Sequence, residues 1–303
     1  HQWAKNLLIF APLLLSGSFT NVDDILRCVL GFFALGVAAS GTYIVNDLSD
    51  LAADRRHSSK CKRPFASGAL SVAHGLIVGP LMIALGLGAA LLIAPPFAAA
   101  LGAYLITTLA YSLRLKAVPL FDVLLLGWLY TLRLIMGSML VDAALSPWLL
   151  TFSMMFFSSM SLAKRHVEVS SAPPGPIPGR GYRAEDAPLT LAFGISSSVA
   201  ATLILVLYLV DEAFPSSVYA SPGWLWATPV LLAVWTMRIW LLAHRGELDA
   251  DPVTFAIKDK ISLALGALLA GDDADAGARL HLAAVHGVGL GQHADQPLGD
   301  ALR

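Results

Sequence analysis

The sequence predicts an all-α protein, a polytopic bundle of membrane-spanning helices, and three observations carry that prediction. Of the 303 residues, 56% are hydrophobic and only 14% charged, where a soluble domain carries about 25% charged residues. Apolar residues gather into runs of the length, about 20 residues, that crosses a hydrocarbon core. The basic residues lie almost entirely in alternate loops between those runs.

Taken in order, the runs are 7–20, 25–44, 71–93, 96–112, 120–141, 147–163, 189–210 and 223–243. The first is short, and tilt or a start near Trp3 would lengthen it. Gly and Pro inside the runs (Pro12, Gly36, Gly41, Pro80, Gly86, Gly88) are ordinary in membrane helices, where small residues let neighbours approach closely. A ninth run begins at Ile261 and stops at Ala270, about half the length a span needs. Beyond it the chain reads "GDDADAGARLHLAAVHGVGLGQHADQPLGDALR". The expected organisation is therefore a transmembrane domain over 1–270 and an atypical, largely disordered or weakly helical tail over 271–303. A reading-frame change, or a natural variant, would produce so abrupt a shift and would truncate the ninth helix. The chain opens at His1 rather than methionine and reads as a fragment. A multi-span pattern without a cleavage site follows, so no signal peptide is read there.

Charge sets the orientation. Lys5, Arg55, Arg56, Lys60, Lys62, Arg63, Arg114, Lys116, Lys164, Arg165, Arg180, Arg183, Arg245, Lys258 and Lys260 fall on one side of the predicted membrane. The other side has only Arg27, with Asp23, Asp24, Asp142, Asp211 and Glu212. The positive-inside rule makes the basic side, and with it the N-terminus, cytoplasmic. Cys28 lies in an apolar run and Cys61 in a charged loop, which suits neither a disulfide framework nor a metal site. No nucleic-acid partner is expected, and oligomeric state is not legible.

The charge is densest in "YIVNDLSDLAADRRHSSKCKRP", residues 43–64, at the mouth of the second helix. On a helix, Asp47, Asp50 and Asp54 fall within an arc of about 60°, with Asn46 about 40° further along. Three carboxylates on one stripe repel unless a cation joins them, and hard oxygen ligands suit Mg²⁺, which takes one or two carboxylates plus substrate phosphates. The basic run from Arg55 to Arg63 would hold the rest of a polyphosphate. The plainer reading is a solvated juxtamembrane loop whose charges pair locally; helical phase, the preceding amide and the adjoining basic run all weigh against it. Arg133 and Arg238 sit inside runs, where charge is expensive and usually functional. Arg238 is near a helix end and can snorkel. Arg133 lies roughly 16 Å deeper than Asp122, past the level of the carboxylates, which favours a structural pairing inside the bundle. His74, His166 and His244 lack ligand-like spacing, and Phe32, Phe33, Phe156, Phe157, Trp224 and Trp226 read as packing or lining residues.

At this point the residues resemble a known family. "NDLSDLAADRRHSSKCKRPFASG" is similar to the first signature of the UbiA superfamily of intramembrane prenyltransferases, N-D-x-x-D-x-x-x-D followed by R-x-H-P-x-K-x-x-R-P. Asn46, Asp47, Asp50, Asp54, Arg55, His57, Lys60, Arg63 and Pro64 match, and Ser58 replaces the usual proline. "HQWAKNLLIFAPLL" resembles the same family through Trp3, Lys5 and Asn6. The resemblance implies a bundle of about nine helices around a central cavity, with Mg²⁺ and a diphosphate bound at the acidic motif.

Aromatic prenyltransferases of that superfamily carry a second aspartate-rich motif after the sixth span. Here the loop reads "SLAKRHVEVSSAPPGPIPGRGYRAED" and offers Lys164, Arg165, Glu168, Arg180 and Tyr182 instead. The preceding inward loop, "YSLRLKAVPLFD", offers Tyr111, Arg114, Lys116 and Asp122. One acidic site with a basic second half suits two phosphorylated substrates. It resembles the decaprenyl-phosphate phosphoribosyltransferase-like branch, which transfers phosphoribose from phosphoribosyl diphosphate to a polyprenyl phosphate. "IKDK", with Lys258 and Lys260, is also similar to that branch, although plain membrane anchoring is the favoured reading of those two lysines. Anchoring is equally open for Lys164 and Arg165. Two other readings stand beside it: transfer from a polyprenyl diphosphate to an aromatic acceptor, and a non-enzymatic membrane carrier.

Overall fold

The computed structural model describes residues 2–56, 60–177, 179–215, 222–248, 255 and 259. The predicted ninth run and the 271–303 tail lie outside the described residues.

The described chain is an all-α membrane bundle. A 3₁₀ segment, Gln2–Phe10, runs into helix α1 (Ala11–Leu15), followed by α2 (Val22–Ser49) and the one-turn α3 (Leu51–Asp54). Then come α4 (Val72–Ile93), α5 (Pro95–Leu113), α6 (Phe121–Leu140), α7 (Pro147–Ser170), α8 (Ala187–Tyr208) and α9 (Ala227–His244). Six of these elements are long and apolar enough to cross a membrane. The first predicted span differs from its expected 7–20. It starts at the N-terminus and ends at Leu15, where Gly17 takes a left-handed conformation (φ 73°). Its 3₁₀ portion rises more per residue than an α-helix, so the segment reaches about 25 Å despite its shortness.

Local signals set the helix starts. The Asn21 side chain accepts the Asp23 N–H ahead of α2, and Asp23 and Asp24 lie in its positive first turn. Ser71 and Ser146 cap α4 and α7 in the same way, and prolines open α5 and α7. The helix α7 is too polar to count among the six apolar spans, and some of its hydroxyls bond to neighbouring helices. Ser159 donates to the Gly194 carbonyl (2.8 Å) and accepts from Trp240 Nε1 (3.0 Å), while Ser153 pairs with Thr131 (2.8 Å). Such interhelical hydrogen bonds hold where lipid supplies no hydrophobic drive between helices.

Between α2 and α4 small residues do that work. A Cβ on Gly86 would lie 2.7 Å from both the Ala34 carbonyl oxygen and the Ala38 Cβ, whereas one on Gly88 would meet nothing. Gly86→Ala should therefore cost about 1–3 kcal/mol through overpacking, and Gly88→Ala should cost nothing. Thermal unfolding of the two variants in detergent reads this directly, and equal midpoints would refute the close approach.

The charged residues inside the runs find internal partners. Arg133, 4% exposed, donates through Nε to Asn6 Oδ1 (3.1 Å), through Nη1 to the Leu129 carbonyl (2.6 Å) and through Nη2 to the Tyr104 hydroxyl (2.9 Å). Its guanidinium also faces the Tyr104 and Tyr130 rings. Arg238 makes a bidentate pair with Asp259 at 2.7 and 3.0 Å. The aromatics pack in two groups. Trp3, Phe10, Phe32 and Phe33 tie the N-terminal segment to α2, and Tyr130 stacks on Phe157 at 4.4 Å.

Candidate active site

The acidic stripe forms, with a break in it. Helix α2 ends at Ser49, and Asp50 (φ −90°, ψ 1°) stands between it and α3. Asp50 N–H still donates to the Asn46 carbonyl (2.9 Å), and Asp54 N–H to the Asp50 carbonyl (2.9 Å), so the chain keeps its helical course across the break. The three carboxylates nevertheless split into two sets. Arg63 Nη1 bridges Asp47 Oδ1 (3.0 Å) and Asp54 Oδ2 (2.8 Å). Lys116, from the loop after α5, takes both oxygens of Asp50 at 2.7 and 2.9 Å. Asp54 is buried and Asn46 half-buried, while Arg55, Lys60 and Arg114 are exposed around them. His57 lies outside the described residues.

Among the described residues, no three His, Cys, Asp or Glu side chains converge as a metal-ion group in this conformation. The cationic place among the carboxylates is filled by Arg63 and Lys116. The donor set still fits Mg²⁺, which needs only one or two carboxylates beside substrate phosphate oxygens. Asp47 and Asp54, drawn onto one guanidinium, are such a pair.

In the second cluster Arg165, a candidate phosphate cation in the sequence, already has carboxylate partners. Arg165 is 4% exposed and Asp122 fully buried, and Nη2 donates to Asp122 Oδ2 at 2.6 Å. Arg165 Nη1 also pairs with Glu168, whose other oxygen faces Arg180 Nε at 3.5 Å. Arg180 in turn donates to the Tyr111 hydroxyl (3.3 Å). Tyr182 O–H donates to Asp122 Oδ1 (2.8 Å) and accepts the Leu120 N–H (2.7 Å). Burial, and then the neighbouring Asp122 carboxylate, push the Tyr182 phenol above its ordinary range, so it stays a proton donor. Neighbouring Lys164 is exposed on α7. A guanidinium buried beside two carboxylates is already neutralised and cannot turn to a ligand without stranding Asp122.

Asn6 also has an internal partner. It is 2% exposed and accepts the Arg133 Nε–H. Lys5 is half-buried with its ammonium over the Tyr130 ring, 5.7 Å from the centroid. Asp122 is the residue that sequence reasoning underweighted. It stands alone in an apolar helix start, and its partners come from 43 and 60 positions away. His166 and His244, distant in sequence, also meet, with rings stacked 5.9 Å apart.

Fold and site together define a multi-pass membrane protein whose helix mouths gather acidic and basic groups from three loops at one end. The UbiA prenyltransferase family model matches residues 7–264, and the chain belongs to that family. It is 47% identical over 273 residues to the uncharacterized protein y4nM of Sinorhizobium fredii, covering 89% of this chain and 53% of that one. The nodulation protein NoeC of Azorhizobium caulinodans is 33% identical over 271 residues, covering 87% and 86%. The decaprenyl-phosphate phosphoribosyltransferase of Corynebacterium glutamicum is 31% identical over 172 residues, 55% of this chain and 52% of that protein. The chain thus spans about half the length of y4nM and matches about half of the phosphoribosyltransferase. Among solved structures, a UbiA homolog from Archaeoglobus fulgidus bound to DMAPP and Mg²⁺ superposes with a TM-score of 0.66. It is 17% identical and covers 87% of this chain and 93% of that one.

Proposed function

We propose that the protein transfers phosphoribose from phosphoribosyl diphosphate to a polyprenyl phosphate at the cytoplasmic membrane face. The observation that carries this reading is the state of the second cluster. Its two carboxylates, Asp122 and Glu168, are paired with Arg165 and Arg180. The Asp122–Arg165 pair, unlike the partly exposed Arg63 and Lys116 pairs, is buried on both sides, which argues against a second set of metal ligands. The cluster is rich in cations, Lys164, Arg165 and Arg180, which suits a phosphate-bearing substrate better than a neutral phenol. The name of the Corynebacterium relative supports the same chemistry.

In this reading Asp47, Asp50 and Asp54 would hold Mg²⁺, which would offset the charge of the departing diphosphate. Arg63 and Lys116, now on the carboxylates, lie within reach of the same phosphates. An oxygen of the lipid phosphate attacks the anomeric carbon of the ribose. The bond from that carbon to the diphosphate oxygen breaks, and its electron pair leaves with the diphosphate. Exposed Lys164 and half-buried Arg180 hold phosphate groups, and the polyprenyl tail remains in the bilayer. The half-exposed helix mouth meets both demands, an aqueous donor and a lipid acceptor.

Two reaction mixtures with Mg²⁺ test the proposal. One contains phosphoribosyl diphosphate and polyprenyl phosphate, the other polyprenyl diphosphate and an aromatic acid. Product is expected in the first. Product in the second alone would overturn the phosphoribosyl reading in favour of aromatic prenyl transfer.

A further inference from the structure

The loop that carries Lys116 onto Asp50 has an unusual end. Leu120, a residue with a Cβ, takes φ 64° and ψ −42°, and the Phe121 N–H turns back to the Pro119 carbonyl at 2.7 Å. This is a γ-turn of the positive-φ kind, which is rare and strained. Strain of this sort persists only where surrounding contacts impose it. Here one such contact is a phenol. Tyr182 accepts the Leu120 N–H, and its own hydrogen is directed by the fully buried Asp122. Asp122 in turn holds Arg165, which reaches Glu168 on the same helix. The hairpin bearing Tyr182, closed by the Ile177 and Tyr182 backbones (2.9 Å), sits directly on the loop. A Cβ on Gly181 would collide with the Ala117 carbonyl oxygen, one residue from Lys116.

We propose that Asp122 and Tyr182 are positioning residues, acting through the 114–120 loop to keep Lys116 at the acidic helix end. The inference deepens the proposed function and rests on its assignment of that helix end to a Mg²⁺–diphosphate group. In outline, Asp122 orients the Tyr182 hydroxyl, the hydroxyl pins the strained turn, and the turn fixes where Lys116 begins. Lys116 then has one short path to Asp50 and to any phosphate bound there. Neither Asp122 nor Tyr182 needs to touch a substrate.

The test uses the full chain in detergent, with Mg²⁺ and inorganic diphosphate as the probe and calorimetry as the readout. Tyr182→Phe should weaken binding about tenfold, the scale of one lost buried hydrogen bond. In a Lys116→Met background the same change should weaken it less than about twofold, since residues acting through one another are not additive. Equal weakening in both backgrounds, or none in the wild-type background, would overturn the proposal. Hydrogen exchange gives a second readout that needs no ligand. Peptides covering 114–121 should lose protection in Tyr182→Phe and Asp122→Asn, while α6 and α7 keep theirs. Unchanged exchange in the loop would overturn the positioning role. Loss of protection throughout α6 and α7 in both variants would also overturn it, by making the cluster a folding element. A wild-type protein that does not bind Mg²⁺–diphosphate would instead count against the proposed function, and the exchange experiment would then decide the positioning role alone.

Discussion

Asp54→Asn and Asp50→Asn should each reduce Mg²⁺-dependent turnover at least about 100-fold, the usual cost of one preorganised charge-stabilising group, while the bundle still inserts and folds. The structure separates the two outcomes. Asp54 is buried and accepts from Arg63 at 2.8 Å, and an amide oxygen of the same shape can keep that hydrogen bond. Arg63 is 38% exposed and can turn to solvent, so loss of the negative charge strands no buried cation. Asp50 is 29% exposed beside a Lys116 that is 24% exposed, and the same reasoning applies. The folded state therefore tolerates either change, whereas a divalent ion that relies on one or two carboxylates does not. Turnover at saturating substrate, measured against Mg²⁺ concentration, checks the expectation. Full activity in both variants with unaltered Mg²⁺ dependence would remove the metal role from this helix end.

Much of this was legible in the sequence because membrane helices leave a coarse signal. Length and apolarity placed α2, α4, α5, α6 and α8 close to their observed bounds. The alternation of basic loops also brought the correct loops to one end, where Lys116 meets Asp50 and Arg180 meets Tyr111. The 3₁₀ form of Gln2–Phe10 was not legible, since nothing in "QWAKNLLIF" distinguishes a tight helix from an α-helix. The acidic stripe was read as one helical face, and the interruption at Asp50 sends its carboxylate to a different partner from those of Asp47 and Asp54. Asn6 stands among the candidate binding residues through the family resemblance, and Arg165 does so with membrane anchoring equally open. Their partners in the bundle, Arg133 and Asp122, lie 127 and 43 positions away. A helical face read from sequence shows which residues lie together on one element, and cannot show which neighbouring helix supplies the opposite charge.

Arg165→Ala should be the most destabilising single change in the site, by about 3–5 kcal/mol, because it leaves a buried carboxylate without its cation. Asp122 is fully buried, and with Arg165 gone the side-chain donor it keeps among the described residues is the Tyr182 hydroxyl. Glu168, 38% exposed, loses one cation and keeps Arg180. The large effect thus belongs to Asp122 and should vanish when Asp122 goes as well. The double variant Asp122→Leu with Arg165→Met replaces the ion pair by apolar groups of similar reach. Such replacements are often neutral or stabilising, so it should recover most of the lost stability. Lys164→Ala is the contrasting change. Its side chain is exposed on α7, so stability should hold while the apparent KM for a phosphate-bearing substrate rises. Thermal midpoints of the three variants in one detergent, with substrate titrations on those that stay folded, separate the two cations. An Arg165→Ala protein with an unchanged midpoint and a raised KM would make Arg165 a phosphate ligand after all, as its place beside Lys164 in the sequence first indicated.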